Sequence, residues 1–311
     1  MSSVGKTAVL FPGQGSQAIG MGMAFVDAAP EAKAVMEMAE SVSGLPLGKI
    51  CRQGPMDLLT QADVLQPALT AVNLICWDAV RQQGIDADFL AGHSLGEYSA
   101  LCAAGTLSVE DTLRLVTARG RLMAREGETH PGGMYALVGL DLLDVKKILE
   151  DLASPGEISI GNHNQEKQIV ISGTREKVKT ASKIAEERGG KAIPLNVSIA
   201  NHSPLMAGAV ADFGRFMATI PFAKPTRPIL FNVTAQAEGD PETIRAVMAR
   251  QIVSMVRWYE IILALVDKGV HTFIEVGPKK VLTGMMKRIL PRGAAYKCFQ
   301  VESPAELEKL A

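Results

Sequence analysis

Gly92-His93-Ser94-Leu95-Gly96 has the spacing G-x-S-x-G. Glycines at both ends permit a sharp strand-to-helix turn that projects the Ser94 hydroxyl as a nucleophile, while the next N–H, that of Leu95, faces the oxyanion of a substrate. In a chain with 29 glycines so short a pattern also arises by chance, as an ordinary turn. Its context favours chemistry, because Phe89–Gly92 (FLAG) reads as a short strand and Glu97–Cys102 as the start of a helix.

A serine nucleophile needs a base, and five histidines compete for that role. His93 adjoins the serine and points elsewhere on a tight turn. His130 lies in a breaker loop, His163 between two strands, and His271 at the start of a core strand, where a structural role is expected. His202, in Asn201-His202-Ser203-Pro204, sits in a loop and leads the field; the alternative is a capping or turn residue. No H-x-H or H-E-x-x-H spacing occurs, so no catalytic metal is expected.

Phe11-Pro12-Gly13-Gln14-Gly15-Ser16-Gln17-Ala18 offers a competing reading as a dinucleotide-binding turn. That function requires a second strand ending in an acidic residue about 20 positions on. Ala28–Ser41 is instead helical in pattern, so a glycine turn lending a backbone N–H to an oxyanion hole suits these residues better. Arg119, in Arg119-Gly120-Arg121, could grip a carboxylate bidentately or lie on a solvated helix face, and its pattern alone favours the face. Gly277–Arg292 carries Lys279, Lys280, Lys287, Arg288 and Arg292 without an acid, so it is either a solvated face or a surface for an acidic partner.

The elements that must hold these residues alternate. Thr7–Phe11 and Phe89–Gly92 read as strands; Ala24–Val42, Ala68–Gln83, Gly96–Ala104 and Val109–Arg125 read as helices. After the breakers Thr129–Gly133 come a strand (Met134–Val138), a helix (Leu142–Leu152), strands Glu157–Gly161 and Gln168–Ser172, a helix (Arg175–Arg188) and a strand (Ala192–Asn196). That β-α-β-β-α-β order is the ferredoxin-like unit, in about 70 residues. Helices Leu205–Met217, Pro241–Gln251 and Val281–Ile289 and the strand Thr272–Val276 resume the α/β pattern. The expected fold is an α/β core with a parallel sheet, residues 1–130 and 200–311, interrupted by a ferredoxin-like lobe at 131–199.

The 311 residues, 47% apolar and 21% charged, can bury such a core. The net charge of -1 argues against a general nucleic-acid or acidic-membrane binder, though a local patch is compatible with it. No segment is long and unbroken enough to span a bilayer, and Pro12–Gln17 interrupts the one stretch resembling a signal peptide. Cys51, Cys76, Cys102 and Cys298 form no Cys-x-x-Cys pair, which points to a reducing cytoplasm.

FPGQGSQ (Phe11–Gln17), QPAL (Gln66–Leu69), GHSLGEYSAL (Gly92–Leu101), Arg119-Gly120, NHSPLM (Asn201–Met206), RQ (Arg250-Gln251), VRW (Val256–Trp258) and EVGPKKVLTGMMKRI (Glu275–Ile289) occur in that order. Over nearly the whole chain they resemble the malonyl-CoA:acyl-carrier-protein transacylases. The resemblance implies a hydrolase-like α/β core with a ferredoxin-like insert, and malonyl transfer through a malonyl-serine ester in ping-pong order. It makes Ser94 the nucleophile, His202 the base, and the N–H groups of Gln14 and Leu95 the oxyanion hole. It makes Arg119 the grip on the malonyl carboxylate, reversing the reading above, Gln66 a pocket-lining residue, and the Gln251 carbonyl the group that orients the histidine. It implies no permanently bound cofactor, coenzyme A thioester as substrate, phosphopantetheine on an acyl carrier protein as partner, and a monomer.

The sequence departs from the family at Gln165-Glu166-Lys167, at Met255 and at Asn201, and the last leaves malonyl or methylmalonyl use open. A polyketide-pathway acyltransferase or a malonate decarboxylase subunit are alternatives within the family. A serine hydrolase and a non-catalytic carrier-binding module are the alternatives outside it; Arg119 disfavours the first, and the presence of nucleophile, base and arginine together disfavours the second.

Overall fold

Two separate sheets organise the chain in a computed structural model that describes residues 5–197, 199–291, 293 and 295–310. The strands are β1 (Lys6–Phe11), β2 (Phe89–Gly92), β3 (Gly132–Val138), β4 (Ile158–Gln165), β5 (Gln168–Thr174), β6 (Lys191–Pro194), β7 (Ile229–Leu230), β8 (Ala237–Glu238), β9 (Val270–Val276) and β10 (Lys297–Val301). The larger sheet has the order β10-β9-β1-β2-β7-β8 and is parallel except for β8, which pairs antiparallel with β7. The smaller sheet, β4-β5-β3-β6, is antiparallel throughout. With helices Leu142–Asp151 and Arg175–Glu187, it is the β-α-β-β-α-β unit expected from the sequence.

Apolar residues at Ala8, Val9, Leu10 and Phe11 are buried on both faces of β1, as a strand covered by helices on both sides requires. One core, including Phe11, Val72, Tyr98 and Phe213, fills one side of the large sheet; another, around Trp258, Phe273 and Met286, fills the opposite side. The small sheet has its own core of Leu137, Val145, Ile148, Ile169, Ile171 and Val178.

Several boundaries differ from expectation. The first helical stretch breaks at Ala29-Pro30 into Met23–Ala28 and Pro30–Ser43, because a proline fits a first turn but not a helix interior. The helix Ala62–Gln82 starts before Pro67 rather than after it, and Val109–Thr129 runs a turn further than Arg125. β4 extends through Asn162-His163-Asn164, so His163 lies on a strand rather than between strands. His271 is exposed, stacked on Tyr296 and bonded to the Gly269 carbonyl, not buried in a core. β7, β8 and β10 and the helix Trp258–Asp267 were not anticipated.

Candidate active site

β1 and β2 are adjacent and in register, with Phe11 opposite Gly92, so the loops leaving their carboxyl ends emerge side by side. The two loops touch. A Cβ on Gly96 would stand 2.1 Å from the Phe11 carbonyl oxygen, and one on Gly13 would stand 2.3 Å from that of His93. Only glycine fits either position, which brings Gln14 beside the turn that carries Ser94. Ser94 has φ 52°, a left-handed conformation that a non-glycine residue holds only when the surroundings enforce it. Asn232, just beyond β7, supplies that enforcement: its Oδ1 accepts from the Ser94 N–H at 2.7 Å, and its Nδ2 donates to the Gly92 carbonyl at 2.7 Å.

His202 reaches the serine from the segment where the chain returns from the small sheet. Its Nε2 lies 2.7 Å from Ser94 Oγ. Its Nδ1 lies 3.1 Å from the Gln251 carbonyl oxygen and 3.0 Å from that of Ser254. Both carbonyls are acceptors, so Nδ1 carries the proton and Nε2 is left as the acceptor facing the hydroxyl, as a base requires. Burial, then the nearby Arg119 charge, lower the imidazole pKa to about 3, which keeps the ring neutral. The backbone N–H groups of Gln14 and Leu95 have no hydrogen-bond acceptor among the described residues, and both residues line the cleft beside Ser94.

Arg119 is 2% exposed. It occupies the inward stripe of Val109–Thr129, between Leu115 and Val116 one turn before and Met123 one turn after, where an apolar residue would be expected. This stripe is the signal that a solvated-face reading overlooks. Its Nη1 donates to Gln66 Oε1 at 2.8 Å, its Nη2 to Gln251 Oε1 at 3.1 Å, and its guanidinium lies 5.6 Å from the Tyr98 ring centroid. Those partners are neutral, and Nε is unpaired. Gln66 does not line the cleft as the resemblance implied; it stands behind Arg119 and also meets Met123 Sδ at 3.4 Å. The Gln251 side chain does more than the expected carbonyl contact, since its Nε2 donates to the Ser94 carbonyl at 2.8 Å and to Glu97 Oε2 at 2.7 Å.

The cleft is lined from the large-sheet side by Gln14, Ser94, Arg119 and His202 and from the small sheet by Met134, Asn162 and Asn164. Asn164 Oδ1 lies 2.8 Å from His93 Nε2, and the Asn162 segment bridges to Val256, so the two sheets clasp each other beside the serine. Val281, Leu282 and Met285 form part of the same wall, and Lys279, Lys280, Lys287 and Arg288 of the same segment are exposed. Arg292 lies outside the described residues. Glu275 fixes the segment by accepting from the Leu282 and Thr283 N–H groups. Sequence reasoning missed Asn232, Ser254 and Glu97. Glu97 alone left a trace, as a charge in an otherwise apolar run after the turn.

The family model described as an acyl transferase domain matches residues 9–300. The malonyl CoA-acyl carrier protein transacylase of Bacillus subtilis is 38% identical over 305 residues, covering 97% of this chain and 95% of its own. The solved acyl carrier protein S-malonyltransferase of Vibrio cholerae superposes with a TM-score of 0.93 at 37% identity, covering 98% of this chain and 100% of its own. A malonyl-transacylase solved in complex with its type II polyketide acyl-carrier protein gives a TM-score of 0.93 at 34% identity, covering 98% of both chains. The mostly parallel sheet with its separate small antiparallel sheet is the fold of these solved acyltransferases. The chain belongs to the malonyl-CoA:acyl-carrier-protein transacylase family.

Proposed function

We propose that this acyltransferase moves the malonyl group from malonyl-CoA to the phosphopantetheine thiol of an acyl carrier protein, supplying fatty acid synthesis. The observation that carries the substrate class is Arg119, a buried cation held by neutral amides in the wall of the serine's cleft. A free carboxylate on the acyl group would pair with it directly, whereas an acyl chain without one would leave it with neutral hydrogen-bond partners and an unpaired Nε.

In the first half-reaction Ser94 Oγ attacks the thioester carbonyl and its proton passes to His202 Nε2. The tetrahedral oxyanion accepts from the Gln14 and Leu95 N–H groups; one such donor is typically worth ~3 kcal/mol of barrier. The C–S bond then breaks, coenzyme A leaves with the proton from His202, and a malonyl-serine ester remains. In the second half-reaction the carrier thiol gives its proton to His202 and its sulfur attacks the ester. Ser94 leaves and recovers the proton. Two backbone carbonyls take the place of a triad carboxylate in holding the imidazole. The substrate carboxylate also offsets the Arg119 charge that depresses the imidazole's basicity, so the base strengthens when the matching acyl group is bound.

The reading needs no permanent cofactor. The exposed Lys279, Lys280, Lys287 and Arg288, on the segment that also lines the cleft through Val281, Leu282 and Met285, suit an acidic carrier protein. We read the chain as a core of residues 1–130 and 200–311 with a lobe at 131–199, a division favoured by the small sheet's own hydrophobic core, and the protein as a cytoplasmic monomer. Among the described residues no helix is long and apolar enough to cross a membrane. Service to a polyketide pathway is the second reading, favoured by the likeness to the transacylase solved with a polyketide carrier protein. The test is to follow malonyl transfer from malonyl-CoA onto phosphopantetheinylated carrier protein. Loaded carrier is expected; release of free malonate with an unloaded carrier would contradict transfer.

A further inference from the structure

We infer that Glu97 is a positioning residue that sets the enzyme's preference for carboxylate-bearing acyl groups by fixing which way the Gln251 amide faces. The inference rests on the malonyl-transfer reading.

Glu97 is fully buried, 0% exposed, in the first turn of the helix that follows Ser94. Both its oxygens meet donors: Oε1 accepts from the Asn232 backbone N–H at 2.6 Å, and Oε2 accepts from Gln251 Nε2 at 2.7 Å. Gln251 Nε2 also donates to the Ser94 carbonyl, which leaves Gln251 Oε1 as the acceptor for Arg119 Nη2. The amide thus has one orientation that satisfies all its neighbours, and a carboxylate at position 97 is what selects it. A glutamine there would have a single acceptor. The backbone N–H of Asn232 cannot turn away and would claim that acceptor, so the new NH2 would face Gln251 Nε2, donor against donor. Rotating the Gln251 amide removes that clash only by turning its own NH2 toward Arg119. The mismatch is thereby passed to the guanidinium, which loses its anchor.

The titratable groups facing Glu97 are Arg119, from the helix Val109–Thr129, and Tyr98 on its own helix; Asn232 and Gln251 present neutral groups. Burial first of all raises the Glu97 carboxyl pKa to about 7, against the pull of its two hydrogen bonds and of Arg119. Protonation would have the same effect as the amide, since a protonated carboxyl also presents a donor to one of two donors.

The experiment measures single-turnover loading of the full chain by malonyl-CoA and by acetyl-CoA, as intact mass against time, for the unmodified enzyme, Glu97→Gln, Gln251→Met and the double variant. The malonyl-to-acetyl ratio of rates should fall about tenfold in Glu97→Gln, the worth of one hydrogen bond to a charged group. Adding Glu97→Gln to Gln251→Met should change it less than about twofold, because the amide to be oriented is gone. A ratio unchanged in Glu97→Gln, or two effects that multiply, would overturn the inference. If Glu97→Gln does not fold, the unmodified enzyme decides: its ratio should fall as pH drops from 8.5 to 5.5, and a flat ratio overturns the inference. Failure of the unmodified enzyme to load malonyl at all would contradict the transfer reading instead.

Discussion

Gln251 ties Arg119 to His202: its side-chain Oε1 accepts from Arg119 Nη2 at 3.1 Å and its backbone carbonyl lies 3.1 Å from His202 Nδ1, and the Arg119 charge adds to burial in holding the imidazole neutral. In the proposed mechanism this link would couple recognition of the substrate's carboxylate to the strength of the base that activates Ser94. It also separates the two consequences of removing the arginine.

Arg119→Met should therefore cut malonyl loading by about a hundredfold, the loss of a bidentate charged pair. Acetyl loading should hold or improve, because the depressing charge is gone. Equal loss with both thioesters, measured by single-turnover kinetics, would make Arg119 a structural residue only.

Acetyl loading should show no acid limb from the base between pH 8.5 and 5.5. The sign follows from the direction of the shift: a histidine whose pKa is lowered from 6.5 to about 3 binds its proton only below about 3, so the neutral ring persists across that window. Acetyl is the right probe because it makes no demand on Arg119. An acetyl-loading profile that titrates near 6.5 would mean an imidazole far more exposed than this one.

Gly96→Ala should lower stability by ~2 kcal/mol or more, read from chemical denaturation, because the added methyl meets the Phe11 carbonyl at 2.1 Å. Any folded fraction should load slowly, since β1 and the Ser94 turn must separate to admit the methyl. Full stability and full activity would contradict the close packing described for these two loops.

Reversing charge at Lys279 and Lys280 should reduce carrier-dependent turnover about tenfold and weaken its salt dependence, with malonyl loading of the enzyme intact. Both lysines are exposed and directly precede Val281, which lines the cleft. Unchanged carrier kinetics would remove this segment from the docking surface.

How far the sequence disclosed the molecule depended on whether a feature was local. The G-x-S-x-G turn, the strands β1 and β2 and the β-α-β-β-α-β unit are written in adjacent residues, and each formed as the pattern implied. β7 and β8, two residues apiece, are too short for any periodicity, and Asn232 beyond β7 was invisible for the same reason. The helix Ala62–Gln82 absorbs Pro67 inside it, against local preference. Its first turn packs closely on the helix bearing Arg119, where a Cβ on Gly120 would stand 2.5 Å from the Ala62 carbonyl oxygen. Arg119 itself was misread from its neighbours in sequence because Gln66 and Gln251, which hold it, lie 53 and 132 residues away.

The covalent step at Ser94 is the most direct test of malonyl transfer. Malonyl-CoA is added to the enzyme, the protein is digested, and the modified peptide is mapped by mass spectrometry before and after addition of phosphopantetheinylated carrier protein. One malonyl ester is expected, on Ser94, that disappears as the carrier gains the same mass, and no ester in Ser94→Ala. A carrier that becomes malonylated with no ester on Ser94, or by Ser94→Ala at the normal rate, would contradict that step.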